Sequence, residues 1–215
     1  MFKIATTALL LAGAMATAHA DSSTPMFSQN FDNVGSLTSK GWIITNDSTP
    51  VGTTSWFQGD QSQFTSHSGA PESYAAVNFN SSDPNGGTLS TWLITPVIST
   101  ARDIDISFWA RSAIADPFFD QLAFGMLGSN GSLGTFIEYQ LITTVGEWTQ
   151  YTMHLAGQGE GATARFAIEY VGDSANANYA GVDDLIINVP EPSTWALVGI
   201  SMLGLAYSAR RRPQR

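Results

Sequence analysis

From Asp103 onward the chain alternates strictly. Ile104, Ile106 and Phe108 are separated by Asp103, Asp105, Ser107 and Trp109, a period of two that suits a half-buried strand and no helix. The pattern returns in 149–155, where Thr149, Tyr151, Met153 and Leu155 share a face. It returns again in 165–170, where Phe166, Ile168 and Tyr170 alternate with Arg165, Ala167 and Glu169. Segments 122–127 and 136–143 read as further strands, with Ser129-Asn130-Gly131-Ser132 as the turn between them, and Leu185, Ile187 and Val189 close the series. The body has no long helical pattern and no βαβ spacing. Many short strands without crossover helices predict an all-β, antiparallel two-sheet jelly-roll sandwich.

Residues 21–188 are of the size of one domain. Only Lys40, Arg102, Arg111 and Arg165 are basic in this segment, against seventeen acidic residues, a net charge of −13. A body so acidic is unsuited to nucleic acid or to an anionic surface, and it stays soluble after export. The chain has no cysteine. That excludes thiolate metal sites and cysteine nucleophiles, and it leaves an exported fold to be held by its core, helped at most by an ion. Twelve Phe, six Trp and six Tyr supply that core.

Both ends of the chain carry processing signals. Residues 1–20 form a secretory signal peptide: Lys3 is the positive start, 4–16 the apolar stretch, and Ala18-His19-Ala20 the small-x-small site before Asp21. Signal peptidase is expected to cut after Ala20. At the other end, 189–215 reads as a sorting tail. Val189-Pro190-Glu191-Pro192-Ser193 is followed by an apolar run from Trp195 to Tyr207 and by Arg210, Arg211, Arg212 and Arg215. The run is short for a span, which takes roughly 17–25 residues. Extended to about 194–209 it becomes long enough for a transmembrane helix, with Trp195 and Tyr207 as interfacial aromatics and the arginines as a positive-inside anchor at 210–215.

The string VPEPSTWALVGISMLGLAYSARRR resembles the PEP-CTERM tail of exported Gram-negative bacterial proteins. The resemblance implies exosortase as a processing partner, an inner-membrane-anchored intermediate with the domain outside the cytoplasm, and later release to the cell surface or beyond. It also implies an association with exopolysaccharide and biofilm matrix.

Landmarks within the body fall in a recognisable order. Phe31-Asp32, Gly41-Trp42, Trp56, Trp92-Leu93-Ile94-Thr95-Pro96, the strand from Ile104, Trp148, and a terminal Val182-Asp183-Asp184-Leu185 follow one another. This resembles the choice-of-anchor J domain and is similar to cleaved-adhesin and MAM-type jelly rolls over nearly all of 27–189. The resemblance implies a two-sheet jelly roll of adhesive or carbohydrate-binding type, with Phe31-Asp32 in the first strand. It also implies a calcium or sodium ion near the first-strand acid and the terminal acid pair, here Asp32, Asp183 and Asp184.

Two readings of Asp183 stand. If Leu185 and Ile187 face the core, the two-residue period puts Asp183 on the same inward face, where a carboxylate must be paired, hydrogen-bonded or bound to a cation. The first reading is a calcium ion, with carbonyls and water completing six to eight oxygen ligands. The second is hydrogen bonding from a neighbouring loop. Two readings also stand for Trp56, Phe57, Phe118, Phe119 and Tyr179, which sit in polar loops. They form either a flat ligand platform for exopolysaccharide or caps over the open ends of the sandwich. Trp109 points away from the Ile104–Phe108 face and covers the other sheet surface or a long loop.

Catalytic signatures are missing. There is no G-x-S-x-G elbow and no H-E-x-x-H helix. His154 reads as a solvated strand residue and His67 as a turn residue. Asp103 and Asp105 face away from Ile104 and Ile106, without the third acid of a jelly-roll glycosidase. The expectation is a non-enzymatic exported surface or matrix protein, with a lectin-like module as the alternative and an orphan glycan hydrolase behind it.

Overall fold

A computed structural model describes residues 26–190. The signal peptide at 1–20, and the tail from Glu191 onward with its apolar run and arginines, lie outside them. Twelve strands follow in chain order: β1 (Phe27–Gln29), β2 (Ile43–Asn46), β3 (Phe57–Gln58), β4 (Ala75–Asn78), β5 (Thr88–Ile94), β6 (Ile98–Ser99), β7 (Ile104–Ser112), β8 (Gln121–Gly128), β9 (Ile137–Thr143), β10 (Thr149–Leu155), β11 (Thr163–Asp173) and β12 (Tyr179–Asn188). The helical elements among the described residues are five short 3-10 turns, and none of these helices is long and apolar enough to cross a membrane.

The strands make two sheets, β10-β7-β12-β4-β3 with β1 on β12, and β2-β5-β11-β8-β9 with β6 on β11. Every pairing is antiparallel. This is the sandwich that the alternation predicts. Ile104, Ile106 and Phe108 of β7 face Leu122 and Phe124 of β8 and Phe166, Ile168 and Tyr170 of β11 in one core. The ring of Phe108 meets Phe124 edge-on at 5.0 Å and Phe166 at 5.8 Å. Each such side chain taken out of water contributes about 1.5–3 kcal/mol, so the aromatic centre holds the sheets together without disulfides.

β10 keeps the predicted face: Met153 is buried and Tyr151 and Leu155 are half-buried, while Gln150, Thr152 and His154 are exposed. Two details differ from expectation. Phe31 and Asp32 follow β1 rather than lying in it, because Phe31 takes a left-handed backbone (φ 52°) that ends the strand. The last strand also changes phase midway, and this reorganises the acid pair.

Candidate functional site

In β12, Ala180 and Val182 point into the core, and so do Leu185 and Ile187. Four residues of strict alternation cannot put 182 and 185 on the same side. The register against β7 shifts between Asp183 and Ile186, and Asp184 adopts φ 46°, so a bulge absorbs the extra residue. Asp183 therefore stands opposite Trp109, on the outer face of its sheet and not on the inward face that a strict period predicts. It is nonetheless fully buried.

The segment 59–74 between β3 and β4 buries it. Phe64 of that segment stacks on Tyr74 at 4.9 Å and meets Tyr179 and Trp148 edge-on at 5.4 and 5.5 Å. The Arg111 guanidinium lies 4.7 Å over the same ring, and the Trp148 indole donates to the Thr65 carbonyl at 2.9 Å. Gly181 makes room for this cover, since a Cβ there would lie 2.7 Å from the Tyr74 ring. The outcome is a second, smaller core outside the sandwich.

At the end of the cover the polar groups converge. Asp183 Oδ2 accepts from the backbone N–H of His67 (2.9 Å) and Ser68 (3.2 Å), and its Oδ1 accepts from the N–H of Asp184 (2.7 Å). The neighbouring Asp184 takes the Ser68 hydroxyl on Oδ1 at 2.8 Å and faces His67 Nδ1 through Oδ2 at 2.7 Å. The His67 ring lies flat on Trp109, as the loop-covering alternative for that tryptophan requires. Burial pushes the Asp183 carboxyl up to about 7, with Asp184 adding repulsion, against the pull of the three N–H donors.

Asp32 approaches from the other side of the same loop: it is exposed, accepts from Asn30 Nδ2 at 2.8 Å, and lies close to Gly69. An open cleft of about 350 Å³ runs between Ser28, Gln29, Asn30, Ser68 and Asp184. The three acids named for an ion thus border one loop. In this arrangement, however, each oxygen of Asp183 and Asp184 already faces a hydrogen-bond partner. Among the described residues no group of three or more His, Cys, Asp or Glu is gathered to hold a metal. The donor set fits loop anchoring, and the three of these oxygens that face a single partner each keep a second lone pair.

The five aromatics do not form one platform. Trp56 is buried and its indole donates to the Thr91 carbonyl inside the sandwich at 3.1 Å. Phe57 and Tyr179 meet edge-on at 5.9 Å, and the Tyr179 hydroxyl bonds to Tyr74 at 3.0 Å. These three pack and cap, because each ring finds apolar neighbours. Only Phe118 and Phe119 stand out, at 45% and 49% exposure. His154 is exposed and pairs with Asp105 at 2.7 Å.

Asp120 was not singled out from the sequence, where it only ends a Pro-Phe-Phe loop. It is buried, accepts from the Tyr170 hydroxyl at 2.5 Å and from the N–H groups of Asn178 and Tyr179 at 2.8 and 3.2 Å. Burial raises its carboxyl above the ordinary value. It ties the start of β8 to β11 and to the approach of β12, and nothing in spacing or composition marks it.

Residues 188–212 match the family described as the PEP-CTERM protein-sorting motif. The fold is similar to the K1 cleaved adhesin domain of Lys-gingipain from Porphyromonas gingivalis W83, with a TM-score of 0.60 at 16% identity over 76% of this chain and 98% of that one. The K3 domain of the same protein gives 0.58 at 15% identity over 76% and 97%. The K2 domain gives 0.54 at 17% identity over 76% and 98%. At such identities the likeness establishes the fold. A comparison with curated proteins finds no match.

Proposed function

We propose that this chain is an exported bacterial surface or extracellular-matrix protein, sorted by an exosortase-type system, whose body is a non-catalytic, adhesin-like jelly roll of the choice-of-anchor J type. The observation that carries this reading is positional. The sorting-motif match starts at residue 188, the last residue of β12, so an adhesin-type sandwich runs into its sorting signal without a linker. Signal peptidase frees Asp21, the apolar run 194–209 holds the precursor at the inner membrane, and Arg210, Arg211 and Arg212 stay in the cytoplasm. Exosortase then acts near Pro190-Glu191-Pro192.

Two variants in a host with the protease test it. Deleting Pro190 to Pro192 should leave a precursor of full length, and normal maturation of the deletion would sink the sorting reading. Neutralising Arg210, Arg211 and Arg212 should reduce the inner-membrane fraction.

A second reading, a polysaccharide-binding module, is favoured by Phe118 and Phe119, both exposed in the loop that also exposes Asp116. Saturable binding on a glycan array that is lost in Phe118→Ala would favour it. Binding that survives the substitution would remove those rings from consideration.

A further inference from the structure

Both ends of the described chain leave from one pole of the sandwich. Phe27 pairs with Ile187, and Asn188 ends β12 opposite Asp105. The same pole holds the starts of β7, β9 and β11, the ends of β5, β8 and β10, and the turns between them, as the registers Leu155↔Ile104, Ala164↔Gly128 and Met126↔Ile137 require. The opposite pole holds the loops 47–56, 79–87, 113–120, 144–148 and 174–178.

Charge is divided unevenly between these poles. Three of the four body cations, Lys40, Arg102 and Arg165, sit at the pole of the termini. Arg165 is spent on the carbonyls of Ser129, Gly41 and Thr95, at 2.9, 3.1 and 2.7 Å, whereas Lys40 and Arg102 are exposed. Asp103, Asp105, Glu138 and Glu160 share the pole; Asp105 is paired with His154, and Asp103 accepts from the Gly157 N–H. Elsewhere among the described residues twelve carboxylates face one cation, Arg111, itself laid over Phe64. Exposed apolar side chains occur at both poles, Met26, Val97 and Ile137 at this one and Val51, Ile114, Phe118, Phe119 and Val145 at the other, so charge and the tether are what distinguish the pole of the termini.

The tether is short. Six residues, 189–194, separate Asn188 from Trp195, a reach of about 20 Å at full extension. A body of this length is roughly 40 Å across, so the tether cannot bring the opposite pole to the bilayer.

Resting on the reading of the tail as a membrane anchor, we propose that in the anchored precursor the pole of the termini is seated on the phospholipid headgroups. Lys40 and Arg102 meet phosphates, and Met26, Val97 and Ile137 lie at the interfacial level. The acidic remainder of the body is turned outward by repulsion from the same surface. The body as a whole is too acidic to bind such a surface from solution. The tether supplies the effective concentration, and the charge division supplies the orientation. Phe118 and Phe119 then face away from the cell.

The absence of cysteine makes the test direct. The full chain, as Val97→Cys or Phe118→Cys with one fluorophore attached, is reconstituted into vesicles of phosphatidylcholine with phosphatidylglycerol and a headgroup-bound quencher. The expected result is several-fold stronger quenching at 97 than at 118. Equal quenching at the two positions, in protein that floats with the vesicles, would overturn the proposal. Protein that fails to float would overturn the anchor reading and this proposal with it. Adding Lys40→Glu and Arg102→Glu to the Val97→Cys chain should lower its quenching without changing flotation, and unchanged quenching would refute the role of the two cations.

Discussion

The imidazole of His67 lies 3.8 Å from the indole of Trp109, centroid to centroid and 15° from parallel, while its Nδ1 is 2.7 Å from Asp184 Oδ2. One side chain thus joins the long cover segment to two neighbouring strands, β7 through the ring and β12 through the carboxylate. The backbone N–H of the same residue reaches Asp183, so the bulge in β12 and the cover depend on each other.

Removing that joint should loosen the cover and leave the sandwich intact. Trp109→Ala and His67→Ala are each expected to cost about 1–2 kcal/mol, from a lost stacking pair and lost hydrogen bonds. In hydrogen exchange, 59–74 should lose protection while β8 and β11 keep theirs. Uniform loss across both sheets would show that the cover is integral to the sandwich.

The buried carboxyls give stability a sign with pH. Burial raises Asp183 to about 7 in the folded state and raises Asp120 and Glu169 above their ordinary values. An acid raised on folding binds more protons in the native state, so its contribution is present below the unfolded value near 4 and fades as pH climbs through the folded one. His154, raised by its bond to Asp105, fades in the same direction. Thermal unfolding should therefore occur at a higher temperature at pH 5 than at pH 8, with a smaller difference in Asp183→Asn. A midpoint that rises between pH 5 and pH 8 would contradict the burial argument.

The hydrogen bonds on Asp183 and Asp184 also bear on calcium. With their oxygens facing donors, the body 21–188 should unfold at the same temperature in EDTA and in millimolar calcium. An ion specific to the folded state would stabilise by mass action. A calcium-dependent rise that disappears in Asp183→Asn would place the ion beside β12 after all.

Aromatics inside and outside the sandwich should differ sharply. Phe108→Ala empties the contact with Phe124 and Phe166 and is expected to cost about 3–5 kcal/mol. Phe118→Ala, at an exposed position, should stay within about 0.5 kcal/mol of the parent. Denaturant titrations of the two variants check this, and similar midpoints would mean that Phe118 packs as part of the fold.

Much of this architecture was legible in the chain because two-sided strands announce themselves. The span 149–155 is β10 residue for residue, and Ile104-x-Ile106-x-Phe108 gives the face of β7. What escaped was non-local. The bulge at Asp184 requires a left-handed aspartate, which no local pattern announces, so the period-two argument put Asp183 under the wrong surface. The cover was missed because Phe64 stands among polar neighbours, and its value lies in meeting Tyr74 at the end of its own segment and Trp148 and Tyr179 from two other parts of the chain. Asp120 was missed for the same reason, its partner Tyr170 being fifty residues away.

The strand that leads into the sorting motif is paired on both flanks at its end. Ile186 and Ile187 bond to β1 on one side and to β7 on the other, and Val189 packs against the core. On the proposed processing, the severed product ends within a residue or two of a strand locked in mid-sheet. An exopeptidase nibbling at the new terminus would stall almost at once, since each further residue requires prising apart a three-stranded ladder. The scar of maturation would thereby be shielded from the extracellular proteases that the mature protein meets.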